Sequence, residues 1–317
     1  MSPSIDVVIP IHGGWPVTRR CLESLAAQSA AHRVLVVDNA SPDESAARLR
    51  DEWPEAELVA VGANRGYAAA ANAGAGAGRG EVVVLMNNDV EADPDFLERL
   101  VAPLEAEPGV GMVAPLLLRP GRGQIDGAGL VADCTLSAWP RLQGRPAGEA
   151  GAEDGLLLGP SGAAAAFRRA ALDDVGGLDE RIFMYQEDLD VVLRLRAAGW
   201  GAALARDARA VHLGGSSAGR RSAWQRRQAA FARGYLLRRW GVLRSRTAPR
   251  VLATELAVVV GDLLASRDLA ALRGRVAGWR AACGLGRREV PAFALDVMGW
   301  RESFRRRRGD YEDAAAS

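Results

Sequence analysis

Short apolar runs alternate with amphipathic stretches from Ile5 to Asp89. DVVIPI, RVLVVDNAS, AELVAVG and EVVVLMNND read as strands, and two of them stop abruptly at polar residues. Between them, VTRRCLESLAAQS sets Val17, Cys21, Leu22 and Leu25 on one helical face. PDESAARLRDEW is expected as a helix capped by the Ser41 side chain, with Pro42 in its first turn. YAAAANAGAGAG is a helix of small residues. Strand and helix in alternation predict an α/β fold, a mainly parallel sheet flanked by helices. Ligands of such sheets bind beyond the carboxyl ends of the strands, so Pro10, Asp38, Asn64 and Asp89 should share one rim.

The remaining text is less regular. Residues 120–160 are rich in Gly and Pro and read as loop with short strands. GPSGAAAAFRRAALDDVGGLDERIFMYQEDLDVVLRLRAAGW carries two helix patterns around a loop, and AALARDARAVHLGGSS a strand and a loop. From Trp224 onward the chain is Arg- and Leu-rich and helical, broken at Pro249. The expected division is a catalytic domain at 1–218 and a basic helical region at 219–317. GAGAGRG is no dinucleotide fingerprint, because its glycines end a helix and precede a strand, the reverse of what that motif requires.

Composition sharpens this division. The chain has 317 residues, 49% hydrophobic and 25% charged, an ordinary soluble composition. Its net charge of +1 hides a segregation: 19 Arg against 30 acids up to residue 218, then 21 Arg against 9 acids. Such a tail suits an anionic surface, phospholipid headgroups or a phosphorylated substrate. RGYLLRRWGVLRSR mixes Tyr235, Leu236, Trp240 and Leu243 with Arg238, Arg239 and Arg244, and Arg305 to Arg308 form a second cluster, so a membrane surface is a candidate partner. Packing of this region on the acidic part of the same chain is the other reading. Cys21, Cys134 and Cys283 are widely spaced and lack a Cys-x-x-Cys pair, which argues against disulfides and zinc and for a reducing cytoplasm. No signal-peptide pattern precedes IDVVIPI, and the best membrane-span candidate, 252–265, is short and interrupted by Glu255 and Asp262. A cytoplasmic enzyme, peripheral at the inner membrane face, is expected, with no nucleic-acid partner.

Three stretches carry chemistry. Asn87, Asn88 and Asp89 end a buried strand; they read either as a turn or as hard oxygen ligands for a cation. Glu187, Asp188 and Asp190 crowd the start of a helix, where acids either complement the helix dipole or supply a general base. His212 stands at a strand end before LGGSS, a setting compatible with metal ligation.

In series, VVIPIHGG, VVDNASPD, NRGYAAAAN, VLMNNDV, the SGAAAAF…YQEDLD segment and VHLGGSS resemble the family-two glycosyltransferases across residues 5–217, and by eye the bacterial rhamnosyltransferase-like enzymes of cell-surface polysaccharide synthesis. The resemblance implies a GT-A type fold and an inverting, metal-dependent hexosyl transfer from a nucleotide-diphosphate sugar. The best guess for the donor is dTDP-rhamnose, then a UDP-sugar; the acceptor is a glycan or lipid-linked saccharide. It further implies that Pro10, Asp38, Asn64, Arg65, Gly66, Asn72 and Asn88 form the nucleotide-sugar site and that Ser161 and Gly162 border the donor sugar. By the same resemblance Asp89 and His212 bind Mg²⁺ or Mn²⁺, Asp188 is the catalytic base and Glu187 positions the acceptor hydroxyl. One departure stands out: the first acid of the family's Asp-x-Asp is the amide Asn87, which lowers the expected metal affinity. The alternatives are a sugar-phosphate nucleotidyltransferase, disfavoured because HGGW lacks a nearby Arg before Arg19, or a non-catalytic nucleotide-sugar-binding module.

Overall fold

The computed structural model of the chain describes residues 3–151, 156–214, 222–296 and 298–308. Its first half follows the alternation closely: β1 (Ile5–Ile11), α1 (Trp15–Ala26), β2 (Arg33–Asp38), α2 (Ser45–Glu52), β3 (Glu57–Ala60), α3 (Tyr67–Ala77) and β4 (Val82–Met86). Then come β5 (Val90–Ala92), α4 (Phe96–Ala106), β6 (Val110–Leu118), the short β7 (Ile125–Gly127), β8 (Leu130–Ala132) and β9 (Ala138–Pro140), and β10 (Ala164–Arg168). The chain continues through α5 (Arg169–Val175), α6 (Glu187–Ala197) and β11 (Gly201–His212). It ends in α7 (Ala223–Arg239), α8 (Ala248–Ser266), α9 (Ala270–Ala281) and α10 (Trp300–Arg308).

The main sheet runs β3-β2-β1-β4-β10-β6-β11-β5, with β7 on β6 and β8-β9 as a separate pair. β3, β2, β1 and β4 are mutually parallel, as are β6 and β11. β10 joins these two blocks by running antiparallel to both β4 and β6. Successive side chains of a strand point to opposite faces, and the core divides accordingly. Val8, Leu35, Val37, Val83 and Leu85 pack on one face with α3, α6 and α7. Val7, Ile9, Val36, Val82 and Val84 pack on the other with α1 and α4.

Three details differ from expectation. The Ser41 side chain does not cap α2: that helix starts at Ser45 with Glu44 before it, while the Ser41 hydroxyl accepts from the Gly13 N–H at 2.8 Å. AAAFR is a central strand, not part of a helix: Ala164 to Phe167 are buried between β4 and β6, and Arg168 at the strand end donates to the carbonyls of Leu104 and Val110. Pro249 sits in the first turn of α8, so it opens a helix after the break.

The Arg-rich region packs on the sheet domain, and this overturns the reading of RGYLLRRWGVLRSR as an interfacial surface. Tyr235, Leu236 and Trp240 are buried in the core. The Tyr235 hydroxyl donates to Asp179 at 2.6 Å, and Arg233 donates to the carbonyls of Thr135 and Leu136. Arg250 reaches Asp133 at 3.1 Å, and Ser303 of α10 donates to the same carboxylate at 2.8 Å. Arg305 and Arg306 pair with Glu302 of their own helix, and the side chains of Arg307 and Arg308 lie outside the described residues. α7 and α9 meet so closely that a Cβ on Gly278 would stand 1.9 Å from the Phe231 carbonyl oxygen.

Asp190 is the pivot of this packing. Its fully buried carboxylate accepts from Arg194 Nε at 2.7 Å, Trp240 Nε1 at 3.0 Å and Arg288 Nη1 at 3.1 Å. Removing it strands two guanidinium groups. Asp190→Ala is therefore expected to lose about 3–5 kcal/mol of stability, read as a drop in the urea midpoint at unchanged slope; a midpoint like that of the wild type would show that the network is not holding the helices.

Candidate active site

The loops after β1, β2 and β3 meet around Asn39. Its amide nitrogen donates to Asn64 Oδ1 at 3.0 Å and to the Gly66 carbonyl at 3.1 Å, and its Oδ1 accepts from the Arg65 N–H at 2.9 Å. His12 Nδ1 lies 3.0 Å from the Asn39 carbonyl, which ties in the first loop. Gly66 has φ 87° and ψ 173°, a conformation almost reserved for glycine. A Cβ there would stand 2.2 Å from the Phe183 carbonyl oxygen, which accepts from the Tyr67 N–H at 2.7 Å.

Pro10, Asn64, Gly66, Asn88, Asp89, Ser161, Gly162, Glu187, Asp188 and His212 all line one cleft of about 1040 Å³. Asp38, Arg65 and Asn72 do not. Asp38 turns its Oδ1 to the Ser41 N–H at 2.8 Å, shaping the loop from behind. Arg65 pairs with Glu180 at 2.9 Å, and Asn72 clasps both backbone groups of Leu178. These two brace the segment leading into α6 and are not part of the cleft lining. Asn39, which sequence reading passed over, takes the wall position expected of Asp38.

The NND stretch is a turn, with the Val90 N–H directed at the Asn87 carbonyl. Asn88 donates to Thr18 Oγ1 at 2.9 Å. Asp89 is buried, and its Oδ1 has no hydrogen-bond partner. Antiparallel pairing of β5 with β11 sets His212 opposite Val90 and brings its Nε2 to 3.4 Å from that oxygen. Asp126 holds the other ring nitrogen, Nδ1, at 2.7 Å. Burial pulls the imidazole's pKa down, but the hydrogen bond to Asp126 and the nearby carboxylates of Asp89 and Asp126 outweigh it and hold it up at about 9. A carboxylate oxygen without a hydrogen bond, beside an imidazole oriented through its far nitrogen by a second carboxylate, is a donor set that fits a divalent cation, which would displace the proton from Nε2. Among the described residues no third His, Cys, Asp or Glu joins it, so a ligand and water would complete the shell. Asp126 was missed because an acid in the Gly-rich QIDGAG shows no period or spacing.

Across the cleft, Tyr185 and Gln186 both have positive φ, 67° and 63°, directly before α6. This kink delivers Glu187 and Asp188 to the cleft wall. Asp188 Oδ2 accepts from the Gly162 N–H at 2.9 Å and Oδ1 from the Leu189 N–H at 2.7 Å. The Tyr67 hydroxyl donates to the Gly162 carbonyl at 3.0 Å, so the loop before β10 is clamped between α3 and α6. Glu187 Oε2 is buried without a partner. Burial pushes the Glu187 carboxyl up to about 8, assisted by the charge of Asp188. Asp188 is raised by burial too, but its two N–H donors hold it back. The C-terminal helices close the far wall with Trp224, Arg226 and Arg233 of α7, Val258 and Asp262 of α8, and Arg275 of α9.

Comparison with known proteins gives this geometry a context. The family profile described as Glycosyl transferase family 2 matches residues 6–176. N-acetylglucosaminyl-diphospho-decaprenol L-rhamnosyltransferase of Mycobacterium tuberculosis is 29% identical over 246 residues, 69% of this chain and 79% of that protein. An O-antigen biosynthesis protein of Myxococcus xanthus is 29% identical over 222 residues, 67% of this chain but only 17% of its own length. Among solved structures, GalNAc-T7 with UDP, GalNAc and Mn²⁺ has a TM-score of 0.59 at 16% identity, covering 75% of this chain and 48% of that one. A mannosyltransferase of Pyrobaculum calidifontis in complex with GDP-Man and Mn²⁺ has a TM-score of 0.54 at 20% identity, covering 100% of this chain and 86% of that one. These structures share the fold, that of the GT-A glycosyltransferases.

The backbone at Gly66 generates a test. Gly66→Ala is expected to cost at least about 1–3 kcal/mol from backbone strain alone, read as a lower thermal midpoint. Gly76→Ala, in open space on the same helix, is the control and should not lower it. Equal midpoints for the two variants would mean that the loop after β3 yields freely.

Proposed function

The chain belongs to glycosyl transferase family 2 and is of its rhamnosyltransferase-like kind, and from this we propose that it moves a sugar, rhamnose from dTDP-rhamnose as first choice, onto a hydroxyl of a lipid-linked saccharide with inversion. The observation that carries the reading is the convergence on one cleft of the Asn39–Gly66 cradle, the Asp89–His212 pair and the Glu187–Asp188 pair, from five separate segments of the chain. The relative named for transfer to a decaprenol-linked diphospho-sugar supports the choice of acceptor. Among the described residues no helix is long and apolar enough to cross a membrane, and the working location we propose is peripheral, at the cytoplasmic face.

Each residue takes a role from its surroundings. Pro10, Asn39, Asn64 and Gly66 would seat the nucleoside, and Asn88, Ser161 and Gly162 would border the diphosphate and donor sugar. Mg²⁺ or Mn²⁺ held by Asp89 and His212 would offset negative charge on the departing diphosphate. Asp188, whose two N–H donors favour its ionised form against the opposing effect of burial, takes in that form the proton of the acceptor hydroxyl as that oxygen bonds to the anomeric carbon. The C–O bond to the nucleoside diphosphate breaks and the electron pair leaves with it. A single displacement from the opposite face inverts the centre. Glu187 is largely protonated at neutral pH, so it donates a hydrogen bond to the acceptor and positions it.

Asp188→Asn is expected to lower turnover by at least about 100-fold while donor affinity stays within about twofold. Retention of a tenth or more of wild-type turnover would pass the role of base to Glu187. The pH profile follows from the same pair. The base must be unprotonated, so kcat should rise with pH, with a midpoint above the ordinary carboxylate range because burial favours the protonated form of Asp188. Glu187→Gln keeps a neutral group at that position and should leave the midpoint in place, whatever it does to the plateau; a midpoint moved to lower pH would show that Glu187 is charged while Asp188 titrates. Asp89→Ala and His212→Ala should each abolish the chelator-sensitive part of donor binding in calorimetry, and a wild type indifferent to chelator would overturn the metal assignment.

A further inference from the structure

The outer side of α8 is unusual for a protein surface. Leu252, Leu256, Val260, Leu263 and Leu264 are all exposed, Leu256 at 66% and Leu264 at 74%. At 3.6 residues per turn these five fall within an arc of about 120°. Residues 249–264 place no charged side chain on that arc: Glu255 and Asp262 lie on the opposite side, where Glu255 binds Arg233 and Arg275 and Asp262 pairs with Arg226. A surface helix normally turns charge outward and hydrophobic residues inward. Here the charges face the protein and leucines face out. α9 adds exposed Leu272 and Val276 directly after the turn at Leu269, itself exposed. An apolar face of this extent implies a covering partner.

Charge decides which partner. Arg244 and Arg246 before α8, Arg267 at its carboxyl end and Arg280 on α9 are exposed, and none has a carboxylate within ion-pair distance among the described residues. A second copy meeting this face through a two-fold axis would bring two Arg-rich regions together, against like-charge repulsion. A surface of anionic lipid headgroups over an acyl region satisfies both features at once, arginines at the phosphates and leucines below them. We propose that α8 is an in-plane membrane-docking helix whose Leu252–Leu256–Val260–Leu263–Leu264 face enters the headgroup boundary of an anionic bilayer. This rests on the proposed lipid-linked acceptor only for its purpose, not for its evidence. Val258 and Asp262 on the inward side of α8 line the cleft, so docking sets the cleft about 10–12 Å, one helix diameter, from the headgroups. That is within reach of the first sugars of an acceptor whose lipid stays in the bilayer.

The test uses the full chain with vesicles of phosphatidylcholine, alone or mixed with phosphatidylglycerol, in flotation assays at low and high salt. Wild type should float with the anionic vesicles, less so at high salt, and stay behind with the neutral ones. Leu256→Gln with Leu264→Gln keeps the net charge and alters only exposed positions, and should reduce flotation about tenfold or more. Arg267→Gln with Arg280→Gln should weaken flotation and flatten its salt dependence. Transfer to a soluble acceptor analogue should be unchanged in all of them. Failure of wild type to float, or equal flotation of the leucine variant, overturns the proposal. So does a wild-type dimer in sedimentation that dissociates in the leucine variant without any vesicle binding, since the face is then an interface between copies. Flotation needs no activity, so loss of the glycosyl-transfer reading would leave this result standing, and the reverse.

Discussion

A carboxylate with no exposure to water must be met by donors or given up as a charge. Asp190 is met three times over, by Arg194, Trp240 and Arg288, and the arrangement of both halves of the molecule follows from that. Asp188 and Asp190 are two residues apart, about 200° around a helix. When Asp190 turns toward the C-terminal helices, Asp188 is turned toward the cleft. The αL residues Tyr185 and Gln186 absorb the change of direction that this requires. The acids at the start of α6 therefore divide their work by geometry. Asp190 anchors, while Asp188 and Glu187 are presented.

What the sequence makes legible is the rim, and what it leaves open is which neighbour faces inward. Continuous apolar runs mark β1 to β4, and parallel topology places their carboxyl ends together. Beyond the last residue of a strand the turn decides orientation, and alternation no longer applies. So Asp38 turns behind the loop while Asn39 holds Asn64, Arg65 and Gly66 at the cleft. β10 was hidden for another reason. AAAF has the composition of a helix, and only burial between β4 and β6 makes it a strand, a tertiary demand overriding local propensity. Asp126 gives no signal in isolation; its meaning comes from β7 lying on β6 beside β11, which sets it against His212.

The segregation of charge resolves in two ways that composition alone does not separate. Part of the basic surplus is spent inside the molecule: Arg233, Arg250 and Arg288 reach carbonyls and carboxylates of the sheet domain, and Arg226 and Arg275 pair within the helices. Another part remains in water. The aromatic and cationic stretch most suggestive of an interface in the sequence is core, whereas the less conspicuous α8 carries the exposed leucines. Amphipathicity indicates a surface only once the side facing the protein is known, and on α8 that side is the charged one.

Charge balance around the cleft bears on the cation as well. Arg226, Arg233 and Arg275 line the far wall but are matched by Glu255, Asp262 and Asp268, so they add no net positive charge. With Glu187 largely protonated, Asp89, Asp126 and Asp188 remain, against at most one charge on His212. A nucleoside diphosphate entering this cleft would meet a surface of its own sign in a setting where water screens poorly. No unmatched arginine of the described cleft wall is placed to compensate. The replacement of the usual first acid by Asn87 lessens the repulsion by one charge but does not reverse it. A divalent cation held by Asp89 and His212 would cancel most of it, and the Asp89 oxygen without a hydrogen bond is the group in the cleft wall best disposed to hold one. On the proposed function, donor binding and metal binding would be a single electrostatic event, each weak without the other.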